Sequence, residues 1–135
     1  MQPEVGPHPT LRDLAAEIGT VLVYWSYLEA EMRRQLLEGD DRQPDRTPVV
    51  YRWRTFIRTA LDSAICQELT ERLDGLARWR NLLVHGIRTT SANPWREASA
   101  FVECSDLDGV IHRISIGEIR SLAEEIDRFR RGMRR

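Results

Sequence analysis

Apolar residues recur along the first third of the chain at the spacing of a helix. Leu11, Leu14, Ile18, Leu22, Trp25, Met32 and Leu36 fall on one narrow stripe at about 100° per residue. The pattern predicts a long helix from about 11 to 38, capped by Thr10 with Asp13 in its first turn, and ended by Gly39. Residues 39–48 are polar, hold two prolines and read as a loop. A second helix is expected from about 49 to 63 on Val50, Trp53, Phe56, Ile57, Ala60 and Leu61. A third is expected from about 67 to 88 on Leu69, Leu73, Leu76, Leu83 and Ile87.

The period then changes. Residues 89–95 read as a turn, and 98–104 and 110–116 alternate as strands do. Ala98, Ala100, Val102 and Cys104 form the inward set of one strand, facing Val110, Ile114 and Ile116 of the other. Asp108-Gly109 marks the hairpin turn between them. Ser115 and Glu118 make a capping box for a last helix over about 116–131, with Ile119, Leu122, Ala123, Ile126 and Phe129 on one side. The end, Arg128 to Arg135, carries five arginines and is expected to fray. The fold expected is mainly α: a bundle of about four helices with a β-hairpin before the last helix. A lone hairpin is marginal, so it must lie on the helices. Residues 1–9, with Pro3, Pro7, Pro9 and Gly6, are expected as a flexible N-terminal arm, and 10–135 as a single domain.

Composition narrows the chemistry. A net charge of −1 gives no global attraction to nucleic acid, so any such contact needs a local patch. All 20 basic residues are arginine. That excludes Schiff-base lysines, lysine general bases and the lysine of a phosphate-binding P-loop. Cys66 and Cys104 stand far apart without metal spacing, and free thiols in a reducing cytoplasm are the expectation. No apolar run approaches the roughly 18 residues of a membrane helix. The N-terminus lacks a basic-then-apolar signal pattern. The reading is a cytoplasmic protein away from membranes, with no metal and no cofactor implied by any His, Cys or carboxylate spacing.

The informative stretch is Arg-Trp-Arg-Asn-Leu-Leu-Val-His-Gly at 78–86. Asn81 and His85 are four apart and share the polar face of the third helix, with Arg78 and Arg88 nearby. A histidine can move protons near neutral pH, and arginine presents a permanent forked cation suited to phosphate. Together they suit phosphodiester chemistry. Arg80 instead falls on the apolar stripe, between Leu76 and Leu83. Glu29 has the same oddity in the first helix, between Trp25 and Met32. A buried charge must be paired, so Glu29 is expected to reach Arg80 or another motif residue across the bundle.

Arg80-Asn81-Leu82-Leu83-Val84-His85 resembles the Arg-polar-x-x-x-His motif of the HEPN superfamily. The resemblance at motif level covers about nine residues and is otherwise one of architecture. It implies a small helical bundle and a metal-independent endoribonuclease, of a kind that often serves as a toxin or in defence against phage. It assigns Arg80 to the phosphate, His85 to proton transfer and Asn81 to orienting or contacting the site; Glu29 and Arg78, read from their helix positions, are the supporting residues. It further implies a homodimer whose two motifs share a cleft, an RNA substrate and an antitoxin as possible partner. Arg80 and His85 lie about 140° apart on one helix, which is a physical reason to involve a second subunit. The alternative is a catalytically inactive HEPN-like module that binds a partner protein or a nucleotide; a helical dimer with no nucleic-acid role is a third reading. Some HEPN toxins carry a tyrosine two residues after the histidine, which a partner enzyme modifies. Ile87 stands there, so control at that residue is not expected.

The remaining candidates read as structural. His112 lies on the apolar face of a strand, as a core or rim histidine, and His8 is incidental in the arm. The four tryptophans are core candidates, with Trp79 and Trp95 alternatively lining a groove or a dimer contact. The C-terminal arginines are a solvated tail or a contact to RNA backbone.

Overall fold

The computed structural model of the chain describes residues 8–39, 47–92 and 100–133. Of the expected flexible arm, residues 1–7 lie outside this set, as do most of the polar loop after the first helix, Trp95, Ala98 and the last two arginines. Within it the order is α1 (Leu11–Glu38), α2 (Val49–Ala60), α3 (Ser63–His85), β1 (Ile87–Ser91), β2 (Phe101–Ser105), β3 (Ile111–Ser115) and α4 (Ile116–Met133). The mainly helical class and the small antiparallel sheet before the last helix match expectation.

Helix α1 starts where its cap dictates. The Asp13 backbone N–H donates to the Thr10 hydroxyl oxygen at 3.1 Å, and the Thr10 N–H donates to the Asp13 carboxylate at 2.9 Å. These bonds hold the Asp13 carboxyl below its ordinary range, the bond from the Thr10 backbone contributing most. The buried face of α1 is Leu14, Val21, Trp25, Leu28, Met32 and Leu36. Val21 and Leu28 thus replace Leu11 and Leu22 of the expected stripe, which are exposed. Both leucines lie to one side of the seam defined by Leu14, Val21 and Leu28 at seven-residue intervals.

Helix α4 packs along α1 and buries Ile116, Ile119, Ala123, Ile126 and Phe129. Its capping box forms as the sequence indicated: the Glu118 N–H donates to the Ser115 hydroxyl and the Ser115 N–H to the Glu118 carboxylate, both at 3.1 Å. It runs to Met133, two residues past the expected end, because Phe129 remains in the core and Arg130 pairs with Asp127. Gln35 ties three helices together. Its side-chain carbonyl accepts from the Trp53 indole at 2.9 Å, and its amide donates to the Met133 carbonyl at 3.0 Å. A buried indole N–H needs such a partner.

Helix α3 begins at Ser63, capped by Asp62, and stops at His85 before Gly86. The expected continuation to residue 88 and the turn over 89–95 are corrected by β1. Instead of a two-stranded hairpin there is a three-stranded antiparallel sheet in the order β1-β2-β3. Strand β1 is Ile-Arg-Thr-Thr-Ser and almost wholly exposed, so it carries no alternating apolar signal. Its β-branched residues were the available clue. The inward face of β2 and β3 is Val102, Cys104 and Ile114, with Ala100 and Ile116 at the ends; all are buried, whereas Val110 is exposed. Gly109 turns the β2–β3 connection at φ +82°, in the left-handed region. Among the described residues no helix is long and apolar enough to cross a membrane.

Candidate active site

Four polar residues descend one face of α3 at spacings of four, three and four: Asp74, Arg78, Asn81 and His85. They form one wall of a cleft of about 800 Å³. Arg54, projecting from α2, closes one part of it, and the β2–β3 turn from Ser105 to Asp108 closes another. The structure therefore brings together Arg78, Asn81 and His85 as the helical spacing indicated. Arg88 leaves this face, because it lies on β1.

His85 is the last residue of α3 and is exposed. Among the described residues its ring makes no hydrogen bond, so both nitrogens are open to a ligand. Asn81, one turn earlier, is also exposed, and its side-chain carbonyl accepts from Arg80 Nη1 at 2.9 Å.

Arg80 does not line the cleft. It is half-buried on the apolar side of α3, and its guanidinium carbon lies 5.4 Å from the centroid of the Trp25 ring. Its Nε is buried without an acceptor. The expected bond from Glu29 does not form: Glu29 is half-buried, and no hydrogen bond or ion pair joins it to Arg80. The buried acid of α1 is Glu31, 3% exposed, which pairs with Arg34. The wheel placed Arg80 correctly among apolar neighbours, but the partner is an aromatic face, which attracts a cation through its quadrupole.

The far wall depends on Asp106, which sequence reasoning passed over. One carboxylate oxygen accepts from the backbone N–H groups of Asp108 and Val110, each at 2.9 Å. The other lies 2.9 Å from His112 Nε2. The His112 bond first, then the Val110 N–H, hold this carboxyl below its ordinary range. The available signal was local, since Asp in a Ser-Asp-Leu-Asp-Gly loop commonly bonds backbone two residues on. His112 is a rim histidine as expected, edge-on to Trp79 with centroids 5.8 Å apart. Trp79 lines a second groove, between α3 and α4, while Trp25 and Trp53 are core.

Sequence reasoning also missed Arg54 and Asp74, which form an ion pair across α2 and α3. Asp74 was legible as a member of the Arg78–Asn81–His85 stripe. Arg54 was not, because only tertiary packing brings α2 to that face. The cleft is mixed in charge: Arg54 and Arg78 stand against Asp74, Asp106 and Asp108. Both cysteines are free, Cys66 half-buried and Cys104 buried, and burial pushes the Cys104 thiol upward. Among the described residues no group of three or more His, Cys, Asp or Glu could hold a metal ion.

The cleft thus offers an open imidazole, an amide and two permanent cations within one concavity. Comparison with protein-family models, with curated proteins and with solved structures gives no match.

Proposed function

We propose that the chain is a metal-independent endoribonuclease of the HEPN type, acting as a toxin or phage-defence effector. The observation that carries this reading is the exposure of His85 and Asn81 on one wall of a cleft that also holds Arg54 and Arg78. The reaction is attack of an RNA 2′-oxygen on the adjacent phosphorus. The O2′–P bond forms and the P–O5′ bond breaks, leaving a 2′,3′-cyclic phosphate and a 5′-hydroxyl. His85 takes the 2′-hydroxyl proton, and the departing 5′-oxygen takes up another. A single histidine in the cleft cannot be base and acid at the same moment. A second copy of the chain, pairing near the C-terminal end of α3, supplies the other His85. Arg78 stabilises charge on the phosphoryl oxygens. Arg80 is a positioning residue in this scheme: it holds the Asn81 carbonyl from outside the cleft. An antitoxin protein covering the cleft is the natural antagonist of such a site.

One observation favours a second reading. Arg80 is engaged with Trp25 rather than open to a phosphate, as suits a catalytically inactive HEPN-like module that binds a partner protein or a nucleotide. The deciding experiment is incubation of purified protein with total RNA and a tRNA pool in EDTA, beside His85→Ala and Arg80→Ala. Under the ribonuclease reading the wild type cleaves and leaves cyclic-phosphate ends, and His85→Ala is silent. Arg80→Ala is slowed by at least tenfold. A folded wild-type protein that leaves RNA intact at high concentration would move the assignment to the binding module.

A further inference from the structure

Arg54 combines three features. It projects from α2 into the cleft that holds Asn81 and His85. Its side chain is 29% exposed, and its Nε is buried without an acceptor. Its guanidinium is met by Asp74 through one hydrogen-bonded carboxylate oxygen, and Asp74 is itself 53% exposed. A guanidinium has five donors in a rigid fork, and its best partner is an anion that takes two of them in parallel. Asp74 leaves that capacity largely unused. A half-exposed ion pair is also weak, so exchanging its carboxylate for another anion costs little.

The other guanidinium groups are less suited. Arg80 lies on Trp25, outside the cleft. Arg78 lies in the cleft but is exposed, with its guanidinium carbon 5.9 Å from the centroid of the Trp79 ring. Its side chain has more freedom to lose on binding. Arg54 is partly immobilised before any ligand arrives.

We propose that Arg54 is the principal phosphate-binding cation of the cleft, and that Asp74 occupies it in the free protein as a stand-in for the phosphate. The proposal rests on the ribonuclease reading only for the identity of the anion as an RNA phosphodiester. It places the scissile or a neighbouring phosphate between α2 and α3, with the Asn81–His85 edge of α3 beside it. It also makes Asp74 a competitor, so that removing its charge tightens binding.

The test uses the full chain and a 2′-O-methyl RNA oligonucleotide, which binds as RNA does but has no 2′-hydroxyl to react. Affinity is measured by fluorescence anisotropy at several salt concentrations, with inorganic pyrophosphate as competitor. Arg54→Gln is expected to weaken binding about tenfold or more, the scale of a lost charge-assisted bond. It should also flatten the salt dependence by about 0.7 in log–log slope, the value of one single-strand phosphate contact. Arg54→Lys should restore part of the affinity. Asp74→Asn should tighten binding severalfold. Far-ultraviolet circular dichroism and urea midpoints establish that each variant is folded. Unchanged binding by folded Arg54→Gln overturns the proposal, and so does weakening by Asp74→Asn, which would make the pair a structural tie. Failure of the wild type to bind either probe overturns it as well. Cleavage of ordinary RNA is followed in parallel. Arg54-dependent binding without cleavage keeps the anion site and removes the ribonuclease, whereas cleavage with Arg54-independent binding does the reverse.

Discussion

The Arg80 guanidinium rests on the Trp25 ring with its Nε buried and without an acceptor. Trp25 is itself a core residue, 4% exposed. A half-buried cation held against an indole contributes about 0.5–2 kcal/mol. Arg80→Gln is therefore expected to lower stability by roughly 1 kcal/mol, and a double-mutant cycle with Trp25→Leu should recover a coupling of that size. Urea denaturation of the four proteins measures it, and purely additive effects would mean the contact contributes nothing. Asp106 gives a second expectation. Its folded-state pKa lies below the unfolded value, so its contribution is present above about pH 3.9 and is lost as pH falls through the folded value. Asp106→Asn should destabilise at neutral pH, and the gap from wild type should close on acidification below about pH 4. Thermal unfolding from pH 7 to pH 2.5 tests that sign. At this scale sequence reading placed Asn81 and His85 on one face of α3, where local geometry decides. It erred where a partner comes from another element, because periodicity places Arg80 on an apolar face without saying that the face is aromatic.

Gly86 joins three elements at once. It ends α3, precedes β1, and its carbonyl accepts from the Ser105 N–H of β2 at 2.8 Å. A Cβ added there would stand 2.7 Å from the Ser105 carbonyl oxygen and 3.0 Å from that of Leu82. Its φ of −112° is open to any residue, so the requirement for glycine is one of space rather than of backbone conformation. Both obstacles are backbone, which cannot rotate aside. Gly86→Ala should cost about 1–3 kcal/mol by overpacking and should shift the β2–β3 turn away from His85. A lowered melting temperature with changed amide shifts at Ser105–Asp108 is the expected result; an unperturbed turn would show that the joint yields elsewhere. The four helices were legible because each buries a regular stripe, and the β2–β3 pair because it alternates. The first strand was not, since its one apolar residue, Ile87, continues the stripe of α3 in sequence while leaving it in space.

Two apolar side chains flank His85 on the surface: Val84 is 38% exposed and Ile87 39%. Both sit beside the residue to which the proposed cleavage assigns proton transfer. If two copies pair around the end of α3, each Val84 lies near a two-fold axis, where one substitution acts twice on the same interface. Val84→Arg then sets two like charges against each other. An exposed substitution changes the stability of the monomer by no more than about 0.5 kcal/mol. The wild type is expected to sediment as a dimer at micromolar concentration, and Val84→Arg as a folded monomer with at least a hundredfold less RNA cleavage. Dilution of the wild type should lower its rate per chain in step with dissociation. These outcomes test the two-copy account of His85 against a one-copy account. If monomeric Val84→Arg cleaves at the full rate, one imidazole with a water as the second proton carrier suffices, and the cleft works without a partner. If cleavage is lost together with the dimer, and mixing in His85→Ala chains depresses the wild-type rate further, the site is built from both copies.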